Sequence, residues 1–160
     1  MKQLCMILAV VVLCLAAPTL MLAQDNPNIG TWKLNLEKSK FTGVPAPKSV
    51  TRTVTSDGDS VKYSFEGTGA DGTALAYGFT AKYDGNDYAA TGNGVPSGAD
   101  HIAFKRVNSH SFVGTLKKDG KVVVTSQIVV SHDGKTTTVT SKGTGTDGKP
   151  MHTVQVYDKQ

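Results

Sequence analysis

Apolar residues recur along this chain with a period of two, and short turn signals interrupt them at nearly even intervals. Trp32, Leu34 and Leu36 alternate with Thr31, Lys33 and Asn35, and Val61, Tyr63 and Phe65 alternate with Lys62, Ser64 and Glu66. Leu75, Tyr77, Phe79, Ala81 and Tyr83 share one side of the next run; Ile102 with Phe104, then Phe112 with Leu116, repeat the pattern. Successive side chains of a strand point to opposite faces, so this alternation marks segments with one face in a core and one in water. It predicts ten strands, over 29–36, 49–56, 60–69, 74–84, 87–91, 100–107, 110–118, 121–131, 135–145 and 150–159. No segment carries helical periodicity. The best candidate, 36–49, contains Pro45 and Pro47 and reads as an extended connector.

The turn chemistry agrees. Six Asp-Gly pairs stand at 57–58, 71–72, 84–85, 119–120, 133–134 and 147–148, spaced by 13 or 14 residues except after Asp84. Asp-Gly suits the type I′ hairpin turn, whose two central residues both need positive φ. In the long gap, Val95-Pro96-Ser97-Gly98 and Asn108-Ser109-His110 provide weaker turn signals. Gly67-Thr68-Gly69-Ala70-Asp71-Gly72 is echoed by Gly143-Thr144-Gly145-Thr146-Asp147-Gly148, which predicts two hairpins of one geometry by reuse of a turn chemistry rather than by duplication. Ten consecutive antiparallel strands with one apolar face close most readily into an up-and-down meander β-barrel, because closure removes the exposed edges. A two-sheet sandwich would need longer crossovers, and only 37–48 is long enough.

The first 23 residues fall outside that pattern. Lys2, an apolar run over 4–15 and Leu22-Ala23 before a polar sequence read as a signal peptide, leaving 24–160 as a single domain in the periplasm or outside the cell. Cys5 and Cys14 both lie in that leader, so the domain has neither disulfides nor thiol chemistry and is stabilised by its core alone. Seventeen Lys and Arg against thirteen Asp and Glu is a small excess, scattered over turns, and only two arginines occur. Lysines so placed serve solubility and block edge pairing. A nucleic-acid surface would need basic residues interleaved with stacking aromatics on one face, and no amphipathic helix suggests stable membrane association. The expected state is a monomer.

Candidate chemistry is sparse. His101, His110, His132 and His152 form no pair at metal-ligand spacing, and His132 sits in a turn beside Asp133. Asp100 precedes His101, but strand neighbours point to opposite faces and are not expected to bond side chain to side chain. Asp57-Gly58-Asp59 and Asp84-Gly85-Asn86-Asp87 could chelate calcium, yet Asp in such turns commonly serves its own backbone. No Gly-x-Ser-x-Gly elbow occurs. The sequence therefore predicts no enzyme, no catalytic residue, no metal and no cofactor. The segment 135–145 carries hydroxyls on both faces, which implies a partly wet lumen. Arg106 shares a face with Ile102 and Phe104, but arginine at a strand end beside a turn is usually exposed.

Gly30-Thr31-Trp32-Lys33-Leu34 at the opening strand and Val156-Tyr157-Asp158-Lys159 at the close resemble the fatty-acid-binding proteins and lipocalins, the calycin group, and more specifically the small secreted lipocalin-like proteins of bacteria. The likeness covers the 24–160 domain in length, strand number and both ends, with about nine residues matching as motifs. It implies a fatty-acid-binding-protein-like barrel holding a small apolar or amphipathic ligand, with Trp32 packed across the closed end and Gly30 beside it. Two departures accompany it. The stretch 37–49 is too short and proline-rich for a helical lid, and the family's carboxylate-holding arginine two residues before the last tyrosine is replaced by Gln155. The strand 121–131 has no arginine either, so the expected guest is uncharged.

Two functional readings follow. In the first, the barrel binds or sequesters a small apolar or amphipathic molecule, with Tyr63, Phe65, Tyr77, Phe79, Phe104, Phe112, Gln155 and Tyr157 lining the lumen and Gly30 and Trp32 as its structural plug. In the second, it is a structural or interaction module of the envelope, or an inhibitor, that meets a protein partner through its loops, with Phe41 and Val44 exposed in the stretch 37–48. A lumen packed solid by Phe and Tyr would remove the first reading.

Overall fold

The structure, a computed structural model, describes residues 26–160; the predicted leader 1–23 lies outside the described residues. Eleven strands run β1 Gly30–Thr42, β2 Ser49–Asp57, β3 Ser60–Thr68, β4 Ala74–Ala81, β5 Asp84–Ala89, β6 Thr91–Asn93, β7 His101–Arg106, β8 Ser111–Lys118, β9 Lys121–Val130, β10 Thr136–Thr144 and β11 Pro150–Lys159. A single 3-10 turn, Pro96–Gly98, is the only helical element among the described residues. None of these elements is a helix long and apolar enough to cross a membrane. All pairings are antiparallel, in the order β5-β7-β8-β9-β10-β11-β1-β2-β3-β4-β6. The expected meander barrel without a helical lid is the architecture observed, with one strand more than the alternation predicts.

The extra strand explains how the sheet closes. β5 and β6 are one extended stretch divided at Ala90, and its halves take different partners. Tyr88 lies opposite Ile102 of β7, whereas Gly92 lies opposite Tyr77 of β4. At the division Ala90 is buried and its N–H donates to the Asp100 carbonyl at 2.8 Å. The chain therefore joins the two edges of the sheet covalently. Consecutive strands β4 and β5 share no ladder, so the Asp84-Gly85 turn does not connect paired strands as its sequence suggests.

The turns differ from expectation in a related way. All six glycines of the Asp-Gly pairs have positive φ, but only Asp119 joins its glycine there, at φ 49°. One pair alone can thus be type I′. In four of the others the aspartate caps its own turn: Asp71, Asp84, Asp133 and Asp147 accept from the backbone N–H two residues on, at 2.9–3.0 Å. Such Asx geometry needs only the glycine at positive φ. Those bonds hold the carboxyls of Asp71 and Asp84 below the usual carboxylate range, and Asp133 is lowered first by the Ser131 hydroxyl and then by its turn bond. The echoed segments do share a geometry. Gly69 and Gly145 donate to the carbonyls of Thr73 and Lys149, both at 2.8 Å.

Parity holds along most strands, and β1 departs from it. Trp32 and Leu34 are buried, but Leu36 is exposed, contrary to the alternation. The β1–β11 register slips between Asn35 and Lys40, and this irregularity turns Leu36 outward before Phe41 faces in again.

Candidate functional site

The barrel has a packed end and an open end. At the packed end Trp32 is wholly buried, and its indole Nε1–H donates to the Asn28 carbonyl at 2.9 Å. The Lys159 ammonium lies 5.1 Å from the centre of the Trp32 ring. Gly30 has φ 138°, a conformation that side-chain-bearing residues rarely adopt, and the Lys159 chain passes over it. Asn28 is itself buried and donates from Nδ2 to the Tyr63 hydroxyl at 2.6 Å; Tyr63 in turn bonds Tyr83 at 3.1 Å. Trp32 and Gly30 do not border the cavity.

Above this floor the lumen is not filled. A cavity of about 470 Å³ runs to the open end, within the 300–1,000 Å³ typical of small-molecule sites. Of the eight residues placed in the lumen by parity, seven border it: Tyr63, Phe65, Tyr77, Phe79, Phe104, Gln155 and Tyr157. Phe112 does not. It shares the inward face of β8 with Gly114 and Leu116 but stands at the packed end, wholly buried, with the Tyr83 ring 4.8 Å away. The rings of β3, β4 and β7 make one wall: Phe65 stacks on Tyr77 at 4.5 Å, and Tyr63 on Phe79 at 4.8 Å and Phe104 at 5.1 Å.

β9, β10 and β11 contribute a different wall. Ser126 and Ser141 bond each other at 2.8 Å, and Gln155 accepts from the Tyr157 hydroxyl at 2.9 Å. Thr153 borders the cavity with its hydroxyl unpartnered among the described residues. The hydroxyl-rich strand thus brings Ser141 to the lumen, as its sequence suggests. Burial drives the tyrosines to stay neutral, raising Tyr63 and Tyr77 well above the ordinary phenol value and Tyr157 to about 12.

The most consequential residue is one that the sequence reading passed over. Arg52, on β2, is 3% exposed and borders the cavity. Its guanidinium lies 5.3 Å from the Trp32 ring centre and 5.0 Å from that of Tyr157. Nη2 donates to Asn28 Oδ1 at 3.1 Å, and Nε has no partner among the described residues. The signal was present: Val50, Arg52 and Val54 share one parity of β2, and both valines are buried. Arg106, by contrast, folds back onto its turn, donating to the carbonyls of Asn108 and Ser109 at 3.1 and 3.2 Å.

Other sequence candidates disperse. Asp100 and His101 do bond, Oδ1 to Nδ1 at 2.8 Å, because Asp100 precedes β7 and strand alternation does not constrain it. That pair sits on the surface with Lys118 3.8 Å from the carboxylate. His132 is exposed in its turn, its ring 4.9 Å from that of His110. Among the described residues no three His, Cys, Asp or Glu side chains group as metal ligands. Phe41 and Val44 are half-buried and line the cavity mouth with Pro45 and Pro47, rather than standing exposed on the loop.

Fold and site together define a small meander barrel with an internal, two-walled cavity open at one end. Among solved structures, it is similar to the zebrafish ileal bile acid-binding protein complexed with cholic acid, at 10% identity and TM-score 0.48, covering 84% of this chain and 99% of that one. It is also similar to the siderocalin Ex-FABP, at 14% identity and TM-score 0.37, covering 84% of this chain and 74% of that one. No protein-family model matches the sequence, and no curated protein matches it. The barrel assignment rests on the strand order and register above.

Proposed function

We propose that this protein binds a small amphipathic molecule in the barrel lumen and carries or sequesters it. The observation that supports this reading is the cavity itself: about 470 Å³ remains between inward side chains after the aromatic residues have packed. One wall offers stacked rings and the other hydroxyl and amide groups, so a guest with an apolar body and some polar atoms can be desolvated at little cost. The lid-free mouth, formed by 43–48, the 69–73 turn and the Pro96–Gly98 turn, provides the entrance. Lys2 and the apolar run over 4–15 support an exported setting, in the periplasm or outside the cell. The loop-docking alternative loses its motive, since Phe41 and Val44 face the mouth.

A neutral fluorescent probe, N-phenyl-1-naphthylamine, tests the reading. It should bind the purified protein with one site, and Thr153→Phe, which pushes a ring into the lumen, should weaken binding by about tenfold or more. Equal binding to a variant that keeps its far-UV circular dichroism would place the probe elsewhere and defeat the proposal.

A further inference from the structure

Arg52 is an expensive residue to leave as it stands. A guanidinium stays protonated in proteins, and moving a charge out of water costs several kcal/mol unless it is paired. No carboxylate pairs with Arg52 among the described residues; the salt bridges there are all made by Lys or His at the surface. Its surroundings are two aromatic faces and one amide oxygen, and burial accordingly pulls its pKa below the ordinary value. Asn28 fixes the group in place, because the same side chain binds both Arg52 and the Tyr63 hydroxyl while its carbonyl takes the Trp32 indole. The result is a preorganised cation bordering the cavity, with Nε unpartnered among the described residues.

Resting on the lumen-binding reading, we propose that Arg52 is an anion subsite and that the natural guest is an amphipathic monoanion. Its apolar body lies against the Phe65, Tyr77 and Phe79 wall, and its head group, a carboxylate or a sulfonate-like oxyanion, accepts hydrogen bonds from the guanidinium. A charge-assisted bond in a dry site is about twice as strong as a neutral one. Binding the anion also supplies a counter-charge that no carboxylate among the described residues provides. This reverses the expectation of an uncharged guest, which followed from Gln155 and from the lack of arginine in 121–131. The cation has not been lost from the lumen; it stands on β2.

Displacement of N-phenyl-1-naphthylamine by three twelve-carbon competitors tests the inference: dodecanoate, dodecanesulfonate and dodecanol. In the unmodified protein at least one anion should displace the probe at about tenfold lower concentration than the alcohol, and comparison of the two anions identifies the head group. Arg52→Gln should weaken that anion by roughly ten- to hundredfold, the range of a lost hydrogen bond to a charged group, and leave dodecanol within about twofold. Arg52→Lys should recover part of the loss. Dodecanol matching both anions on the unmodified protein would overturn the inference without needing any variant to fold. A loss shared by all three competitors in Arg52→Gln would make Arg52 a structural strut. Failure of the neutral probe itself to bind would defeat the lumen reading and this one together, whereas probe binding without anion preference defeats this one alone.

Discussion

Replacing Trp32 by phenylalanine isolates what the packed end contributes to stability. The substitution keeps an aromatic ring in place but removes the pyrrole edge and its N–H. Two costs follow. The Asn28 carbonyl, which accepts from Trp32 Nε1 at 2.9 Å beside a buried side chain, is left unpaired, and a buried unsatisfied group costs about 1–3 kcal/mol. The lost ring volume, on the order of 40 Å³, adds about 1 kcal/mol at roughly 24 cal/mol per Å³ of residual cavity. The sum, about 2–4 kcal/mol, is a large fraction of the 5–15 kcal/mol that holds a typical domain folded. Trp32→Ala would cost about 3–5 kcal/mol for the truncation alone and could leave nothing to measure. For a domain of this size the phenylalanine variant should melt about 6–20 °C lower. Far-UV circular dichroism is the assay, since Trp32 is the single tryptophan and its fluorescence disappears with it. Binding of N-phenyl-1-naphthylamine should stay within about threefold, because Trp32 does not border the cavity. An unchanged midpoint would refute the plug, and a stable variant that no longer binds would make Trp32 a ligand contact.

Alkaline pH should destabilise the barrel. Burial holds Tyr157 neutral to about 12 and raises Tyr63 and Tyr77 as well, whereas unfolded tyrosines ionise near pH 10. Above about pH 10 the folded state therefore holds more protons, and stability present at lower pH is lost as pH rises toward 12; melts from pH 9 to 11.5 should show the fall, and Tyr157→Phe should lessen it. Gly143→Ala should cost roughly 1–3 kcal/mol, since its Cβ would lie 2.0 Å from the Val123 carbonyl oxygen and backbone cannot yield as a side chain can; an unaltered urea midpoint would contradict the β9–β10 register.

Much of this protein is written locally. Alternation in 60–68 and 74–81 places Tyr63, Phe65, Tyr77 and Phe79 on one face because a strand's side-chain period is two whatever lies beyond it. Five of the six Asp-Gly pairs mark reversals between paired strands for a reason equally local, the freedom of glycine at positive φ. What parity cannot decide is how far along the barrel an inward residue stands. Phe112 and Phe104 share the inward orientation, yet one is sealed in the packed end while the other borders the cavity, because depth depends on register with neighbouring strands. Nor could local pattern decide that the stretch after Asp84 divides at Ala90 to close the sheet, or that Leu36 turns out where β1 slips against β11. Arg52 carries the same lesson furthest. The alternation Val50-Arg52-Val54 determined which way it points. Only the assembled barrel decided that Trp32, Tyr157 and Asn28 would surround it and that no carboxylate among the described residues would pair with it, because charge balance inside a barrel is a property of strands far apart in sequence.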